Sequence, residues 1–378
     1  MKLTCLTRYL KEAVLIADRN TSKNQTLPIL SSLYISAKDN KLTIRATNLE
    51  TALELNVPCK VEAPGMIVIS GKTLSGFLSN ISDEQISIQN NNNNLFVKTR
   101  SGQTTLRGFS PDDFPLFPTI DPLFSCVLLS EELHQSIDSV AVATSVSDIK
   151  PELSSVFFRI FKNTLKLAAT DSFRLAEKSI VSKKMNAERS ITFLVPNHSI
   201  QELLRLFDNS KSDQTLSFYN DKEVEIILNK NQIVFQNKAI RFISRLTDGV
   251  FPEYEQIIPK TSKTEVICKR SDLIHHVKLA SVFASRLNDV KLSLNVKDKD
   301  IEFSASNPDI GEHQSNLDVS IQGDDVSAKF NWRYVIDGAM RVPGEYIMIY
   351  FNGEQSPLLL KGKGDSSYTY LVMPMRGI

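Results

Sequence analysis

Ala169-Thr170-Asp171-Ser172-Phe173-Arg174-Leu175 lies near the middle of the chain, and its opening triplet occurs twice more, as Ala46-Thr47-Asn48 and Ala305-Ser306-Asn307. Each triplet closes a hairpin. The first pairs Leu33–Ser36 with Leu42–Arg45 across Asp39-Asn40, and the second pairs Val156–Ile160 with Leu165–Leu167 across Lys162-Asn163. The third pairs Val290–Leu294 with Ile301–Phe303 across an Asp-Lys turn. Period-two alternation around Asn/Asp turns is the signal of an antiparallel hairpin. Apolar residues spaced by three and four precede each hairpin and predict helices over Thr7–Arg19, Ser130–Thr144 and Lys269–Arg286. A second helix follows, over Ser70–Ile81, Val195–Asn209 and Phe330–Val342. These begin at 70, 195 and 330, near-even thirds of a 378-residue chain. Alternating segments then close each unit on Phe114-Pro115, Phe251-Pro252 and Met373-Pro374. Proline-interrupted linkers at Pro115–Pro122 and Pro259–Lys263 divide domains at 1–120, 121–260 and 261–378. The fold class is therefore α+β: three repeated domains, each with two helices packed on largely antiparallel sheets.

Composition narrows the function. Lys+Arg number 44 and Asp+Glu 43, a net charge of +1, which argues against a surface that grips nucleic acid all round. The longest apolar run, Tyr346 to Phe351, falls far short of the roughly 20 residues that span a bilayer. Cys5, Cys59, Cys126 and Cys268 lie far apart with no C-x-x-C pair, so they read as reduced thiols in a cytoplasmic protein rather than a zinc site or disulfide framework.

Enzyme motifs fail on inspection. Gly71-Lys72-Thr73 lacks the upstream glycine of a phosphate loop, since position 66 is Met66, and Met66–Ile69 reads as strand. Gly362-Lys363-Gly364 reads as a hairpin turn, and Asn90–Asn94 as a solvated hairpin tip. His275 and His276 are adjacent, so on a helix they diverge by about 100° and cannot chelate one metal. Asp112-Asp113, Glu131-Glu132 and Asp324-Asp325 read as solvated charge. Asp171 tempts as a catalytic acid, but its repeat equivalents are Asn48 and Asn307, so the position calls for an Asx turn rather than an ionisable group. No catalytic residue, metal ligand or cofactor site is assigned.

Departures from the repeat mark places under a different demand. Only the middle copy continues Ser172-Phe173-Arg174-Leu175, and only the last copy ends in Met375-Arg376-Gly377-Ile378. Phe, Met and Arg are enriched at binding surfaces.

Thr170–Ala176, Leu27-Pro28-Ile29-Leu30, Phe251-Pro252-Glu253-Tyr254 and Tyr370–Arg376 together resemble the bacterial DNA polymerase III beta subunit family, the sliding clamps, in one collinear order over the whole chain. The resemblance implies a processivity factor and no catalysis of its own. It implies a six-domain ring of two head-to-tail subunits around duplex DNA, held without sequence preference, in the cytoplasm and at the nucleoid during replication. It further implies a pocket between the second and third domains, where replicative polymerase, clamp loader, repair polymerases and mismatch-repair proteins insert short apolar peptides. Carried over, that pocket comprises Leu153, Thr170, Ser172, Arg174, Leu175, Pro252, Ile257, Leu371, Met373, Pro374 and Met375, with Arg376 at its rim.

Ser172-Phe173 replaces the Gly-His of many relatives, Gln256 stands where a base is common, and two residues follow Arg376 instead of one. Enclosure retains a clamp without tight phosphate neutralisation, so a weakly basic lining suffices. The candidates to face DNA are Lys11, Lys23, Asn24, Lys72, Lys150, His198, Lys278 and Asn331. Two other readings are an open, monomeric DNA-binding accessory protein and an enzyme on the same fold. The second would need a cleft of convergent titratable groups, which the sequence does not show.

Overall fold

The computed structural model describes residues 1–22, 27–208 and 221–375. Among them are six α-helices: α1 (Thr7–Arg19), α2 (Gly71–Ser79), α3 (Ser130–Ala141), α4 (Asn197–Leu206), α5 (Arg270–Ser281) and α6 (Trp332–Arg341). They fall where the apolar periodicity puts them, but all except α1 are shorter than expected, and side chains at the ends explain several of the differences. α3 stops at Ala141, whose carbonyl accepts from Thr144 Oγ1 at 2.8 Å. α4 cannot begin at Val195, because Val195 and Pro196 complete the strand Ala187–Pro196. α5 ends where Ser281 Oγ donates to the Lys278 carbonyl at 2.7 Å, and Val282 beyond it is exposed. Asn331 caps α6, its Oδ1 accepting from Arg333 N at 3.0 Å, so that helix starts at Trp332.

By packing, the chain forms two compact units. The first comprises Met1–His134, Lys184–Asn186 and Gln201–Leu246. Its described strands form one thirteen-stranded sheet. The order starts with Phe124–Leu129, Glu223–Leu228, Gln232–Gln236, Ile240–Arg245, Thr51–Pro58, Lys41–Thr47, Ser32–Lys38 and Gly65–Ser70. It continues with Gln103–Phe109, Asn94–Lys98, Gln85–Asn91, Lys2–Leu6 and Lys60–Ala63. Leu10, Ala13, Val14 and Ala17 of α1 are buried, as are Leu74 and Leu78 of α2. Ser75 Oγ of α2 donates to Asp18 Oδ2 of α1 at 2.9 Å. At the end of α1, Asn20 Nδ2 donates to the buried Glu202 Oε1 of α4 at 2.9 Å.

The second unit comprises Gln135–Lys183, Ala187–Ile200 and Thr247–Ile378. Nine strands run Ala187–Pro196, Ser155–Lys162, Thr164–Thr170, Arg174–Val181, Tyr368–Val372, Leu358–Gly362, Tyr346–Phe351, Thr264–Lys269 and Ser320–Gln322. A separate four-stranded sheet runs Gly311–Asp318, Asp300–Asn307, Asp289–Asn295 and Val326–Asn331. The end of α6 is tied to α3 by Arg341 Nε, which donates to the Asp138 carbonyl at 2.9 Å.

Gly65–Ser70 runs straight into α2, whose first turn is capped by the Ser70 hydroxyl, so Gly71-Lys72-Thr73 is a helix start. Gly362 ends the strand Leu358–Gly362, and Lys363-Gly364 opens the turn toward its partner Tyr368–Val372, with Gly364 at φ 78. Asn90, Asn91 and Asn94 are strand residues, which narrows the asparagine-rich hairpin tip to Asn92-Asn93. No helix among the described residues is long and apolar enough to cross a membrane.

A Cβ at Gly338 of α6 would lie 2.1 Å from Tyr370 Cδ1, and Tyr370 is fully buried in its strand. Neither ring nor backbone can withdraw without unpacking the sheet. Gly338→Ala should therefore cost about 2–3 kcal/mol in a urea titration, through overpacking. An unchanged midpoint would mean that α6 slides away freely.

Candidate functional site

Each of the three triplets ends in an Asx turn, and the first two are alike in detail. Asn48 Oδ1 accepts from Glu50 N at 3.0 Å and Thr51 N at 2.7 Å. Asp171 Oδ1 accepts from Phe173 N at 2.9 Å and Arg174 N at 3.0 Å, and Asn307 Oδ1 from Asp309 N at 3.0 Å. Leu49 and Ser172, at φ 74 and 76, take the left-handed conformation inside the first two turns. The Asx reading of Asp171 thus holds, but it is incomplete. The second carboxylate oxygen, Oδ2, accepts from Arg174 Nε at 2.9 Å, a use for ionisation that asparagine cannot supply.

Arg174 is the polar centre of the candidate pocket. Its Nη1 donates to Asp337 Oδ2 at 2.6 Å, and its guanidinium carbon sits 4.4 Å from the centre of the Tyr334 ring. Burial alone would push this guanidinium down, but Tyr370, Asp171 and Asp337 outweigh burial and raise it. The arginine therefore stays charged, held between two carboxylates.

The strands bring several of the other candidates together. Arg174 pairs with Val372 and Leu175 with Leu371 in the sheet, and beyond the sheet edge Met373 N donates to the Phe173 carbonyl at 2.8 Å. Leu175, Leu194, Phe251, Tyr254, Leu359 and Leu371 share one apolar cluster, in which Phe157 stacks on Phe251 at 4.9 Å. The segment carrying Pro252 and Ile257 is anchored there by Tyr254, whose hydroxyl donates to Glu177 Oε2 at 2.6 Å. Burial and that carboxylate push the Tyr254 phenol well above its ordinary range. Met375 N donates to the Lys329 carbonyl at 2.8 Å. Leu153, Leu175 and Leu371 are buried, Thr170, Arg174, Pro374 and Met375 half-buried, and Ser172, Pro252, Ile257 and Met373 exposed. Arg376 lies outside the described residues.

Family models of the DNA polymerase III beta subunit match the chain as its N-terminal domain over 1–118, its central domain over 127–253 and its C-terminal domain over 255–376. The chain belongs to the DNA polymerase III beta subunit family. A Bacillus subtilis protein named Beta sliding clamp is 27% identical over 388 residues, covering 100% of both chains. One from Staphylococcus aureus is 24% identical over 365 residues, 94% of each. Among solved structures, the DNA polymerase sliding clamp from Bacillus subtilis superimposes with a TM-score of 0.92 at 26% identity over 100% of both chains. A clamp from Pseudomonas aeruginosa bound to griselimycin has a TM-score of 0.92 over 100% of both chains, and its 24% identity bears on the fold alone. The family is that of sliding clamps, non-catalytic polymerase subunits that support processive DNA replication.

Of the remaining candidates, Lys11, Lys72, His198 and Lys278 lie on helices and Lys150 in the turn before Ser155–Lys162. Lys72, Lys150, His198 and Lys278 are exposed. Lys11 donates through Nζ to the Ser79 carbonyl at 3.1 Å, so its charge completes the end of α2. Asn331 is the α6 cap. Lys23 and Asn24 lie outside the described residues. His275 and His276 stand at 84° to one another, and no cluster of metal-ligating side chains occurs among the described residues. All four cysteines are free thiols. Burial pushes Cys5, Cys126 and Cys268 up to about 12 and Cys59 to about 11, which leaves them unreactive near neutral pH.

The two oxygens of Asp171 can be separated by substitution. Asp171→Asn keeps the turn and loses the ion pair, and Asp171→Ala loses both. Thermal denaturation should rank wild type above Asn and Asn above Ala, with about 1 kcal/mol between successive proteins. Equal losses for both variants would mean that the turn bond contributes nothing.

Proposed function

We propose that two copies of this chain join head to tail into a ring that encloses duplex DNA, so that retention comes from topology and movement stays free. The observation that carries this reading is a pattern of strand edges. In the first domain, the strand after the Asx turn, Thr51–Pro58, pairs with the last strand of the second domain, Ile240–Arg245. In the second domain, the strand after the Asx turn, Arg174–Val181, pairs with the last strand of the third, Tyr368–Val372. The equivalent strand of the third domain, Gly311–Asp318, lies at a sheet edge and, among the described residues, pairs only with Asp300–Asn307. The last strand of the first domain, Gln103–Phe109, meets Gly65–Ser70 only at Gly108 and Phe109, leaving Gln103–Arg107 open on one side.

One open acceptor and one open donor of the same kind remain, and within one domain order they call for a second copy. Such heterologous contacts close only when the rotation fits, and two three-domain chains give the six repeats of a closed ring. Exposed Lys72, Lys150, His198 and Lys278, with Lys11, Lys23, Asn24 and Asn331, are the proposed DNA-facing groups. Few strong phosphate contacts among them suit a sliding protein. The surface around Arg174 and Met373 is the proposed dock for apolar peptides of the replicative polymerase, the clamp loader and repair proteins, in the cytoplasm.

Small-angle X-ray scattering over a concentration series tests the ring. A hollow particle of about twice the chain mass is expected, and it should persist on closed circular DNA but run off a linear duplex. A compact monomer at every concentration, held equally by both DNA forms, would favour an open accessory protein. For the dock, Met373→Ala combined with Arg174→Ala should abolish binding of an apolar partner peptide while the particle mass stays unchanged. Undiminished affinity in a titration would remove the peptide site from this surface.

A further inference from the structure

The surface around Arg174 carries more than the carried-over residues. Two neighbouring segments, Ser145 to Leu153 and Thr247 to Ile258, are locked to each other and to the sheet. Ser155 Oγ lies 2.9 Å from Thr247 Oγ1, Thr247 N donates to the Leu194 carbonyl at 2.9 Å, and Ser145 N donates to the Leu153 carbonyl at 2.8 Å. A Cβ added at Gly249 would lie 3.5 Å from Glu152 Cβ, so the two loops run side by side. Both loops hold apolar side chains out to solvent: Val146 is 96% exposed, Ile149 89% and Val250 87%. Ile257 of the second segment is exposed too, as are Phe173 and Met373, which are joined to each other by a backbone hydrogen bond. Apolar groups held this far out by an ordered backbone mark an interaction surface.

The charge around them is one-sided. The two segments contain Asp148, Glu152, Asp248, Glu253 and Glu255 against a single base, Lys150, and the bases flanking the second segment are Arg245 and Lys260. Glu255 is neutralised by Arg159 and Lys166. Asp148, Asp248 and Glu253 are exposed and Glu152 half-buried, and none of the four forms an ion pair among the described residues. Arg174, the cation at the centre, is held by two carboxylates, Asp171 and Asp337, so that trio carries a net negative charge. Gln256 adds no base.

We infer that this surface selects peptides whose apolar anchors are flanked by lysine or arginine rather than by aspartate or glutamate. The inference rests on the docking reading proposed above and adds its partner chemistry. Apolar contact supplies the affinity, and the acidic rim sets the choice, because like charges brought together across an interface cost more than opposite charges gain at an exposed one.

The test is a fluorescence-anisotropy titration of the full chain with three short labelled peptides. All carry the same leucine and phenylalanine anchors, and they are flanked by two lysines, two glutamines or two glutamates. At low salt the lysine-flanked peptide should bind about tenfold tighter than the glutamate-flanked one, with the glutamine peptide between. The gap should shrink in high salt, where exposed charges are screened. Asp248→Lys combined with Glu253→Lys should reverse the order, with the melting temperature recording that the fold persists. Equal affinities, or preference for the glutamate peptide by the wild-type chain, overturn the charge inference and leave the dock intact. Binding of none of the three peptides overturns the dock itself, and the inference with it.

Discussion

Antiparallel pairing between a strand that leaves an Asx turn and the last strand of the next domain is the constraint on which the molecule depends. Without Ile240 to Ser244 against Thr51 to Leu55, the sheet of the first unit would end at Thr51–Pro58. Without Arg174 to Lys178 against Tyr368 to Val372, the candidate site would have no second wall. Sheet edges need partners, and this chain provides them by repetition rather than by covering loops or helices. The turn matters because a side-chain oxygen takes up two backbone amides as the chain reverses. It sends the next strand to the sheet edge, where the neighbouring domain waits.

Much of this was legible because the repeat could be compared with itself. The helices were readable because Leu10, Ala13, Val14 and Ala17 recur at helical spacing, and the hairpins because their turns are marked by Asp and Asn. Helix ends were not, since they are decided by single hydroxyl and amide contacts such as Thr144 to Ala141. Gly311–Asp318 carries Gly, Glu, His, Gln, Ser and Asn with little apolar alternation, so nothing local announces it as a strand. It is a strand because Asp300–Asn307 is there to pair with.

At the site, departures from the repeat pointed to Ser172–Leu175 and Met375. The ion pair of Arg174 with Asp337 spans 163 residues, and no spacing rule could anticipate it. Reading Asp171 as a turn residue was right for one oxygen and blind to the other, because the sequence does not reveal what faces a carboxylate across the fold. The exposed acids at 248 and 253 were likewise silent. A charged residue in a loop looks solvated until the loop is seen against its neighbours.

The seams differ in what they bury. Those within the chain set Phe242 against Leu53, Ile243 against Ala52, Leu175 against Leu371 and Ala176 against Tyr370, with nearly every member buried. The two open edges instead present Gln103, Thr104 and Thr105 on one strand and Glu312, Gln314 and Asn316 on the other. An apolar seam that parted would expose sticky surface and would neither stay soluble nor re-form cleanly. A polar seam can exchange its hydrogen bonds for water and take them back, as transient interfaces do. The two pairings within the chain are built to stay closed, and the two open edges have the composition of a latch.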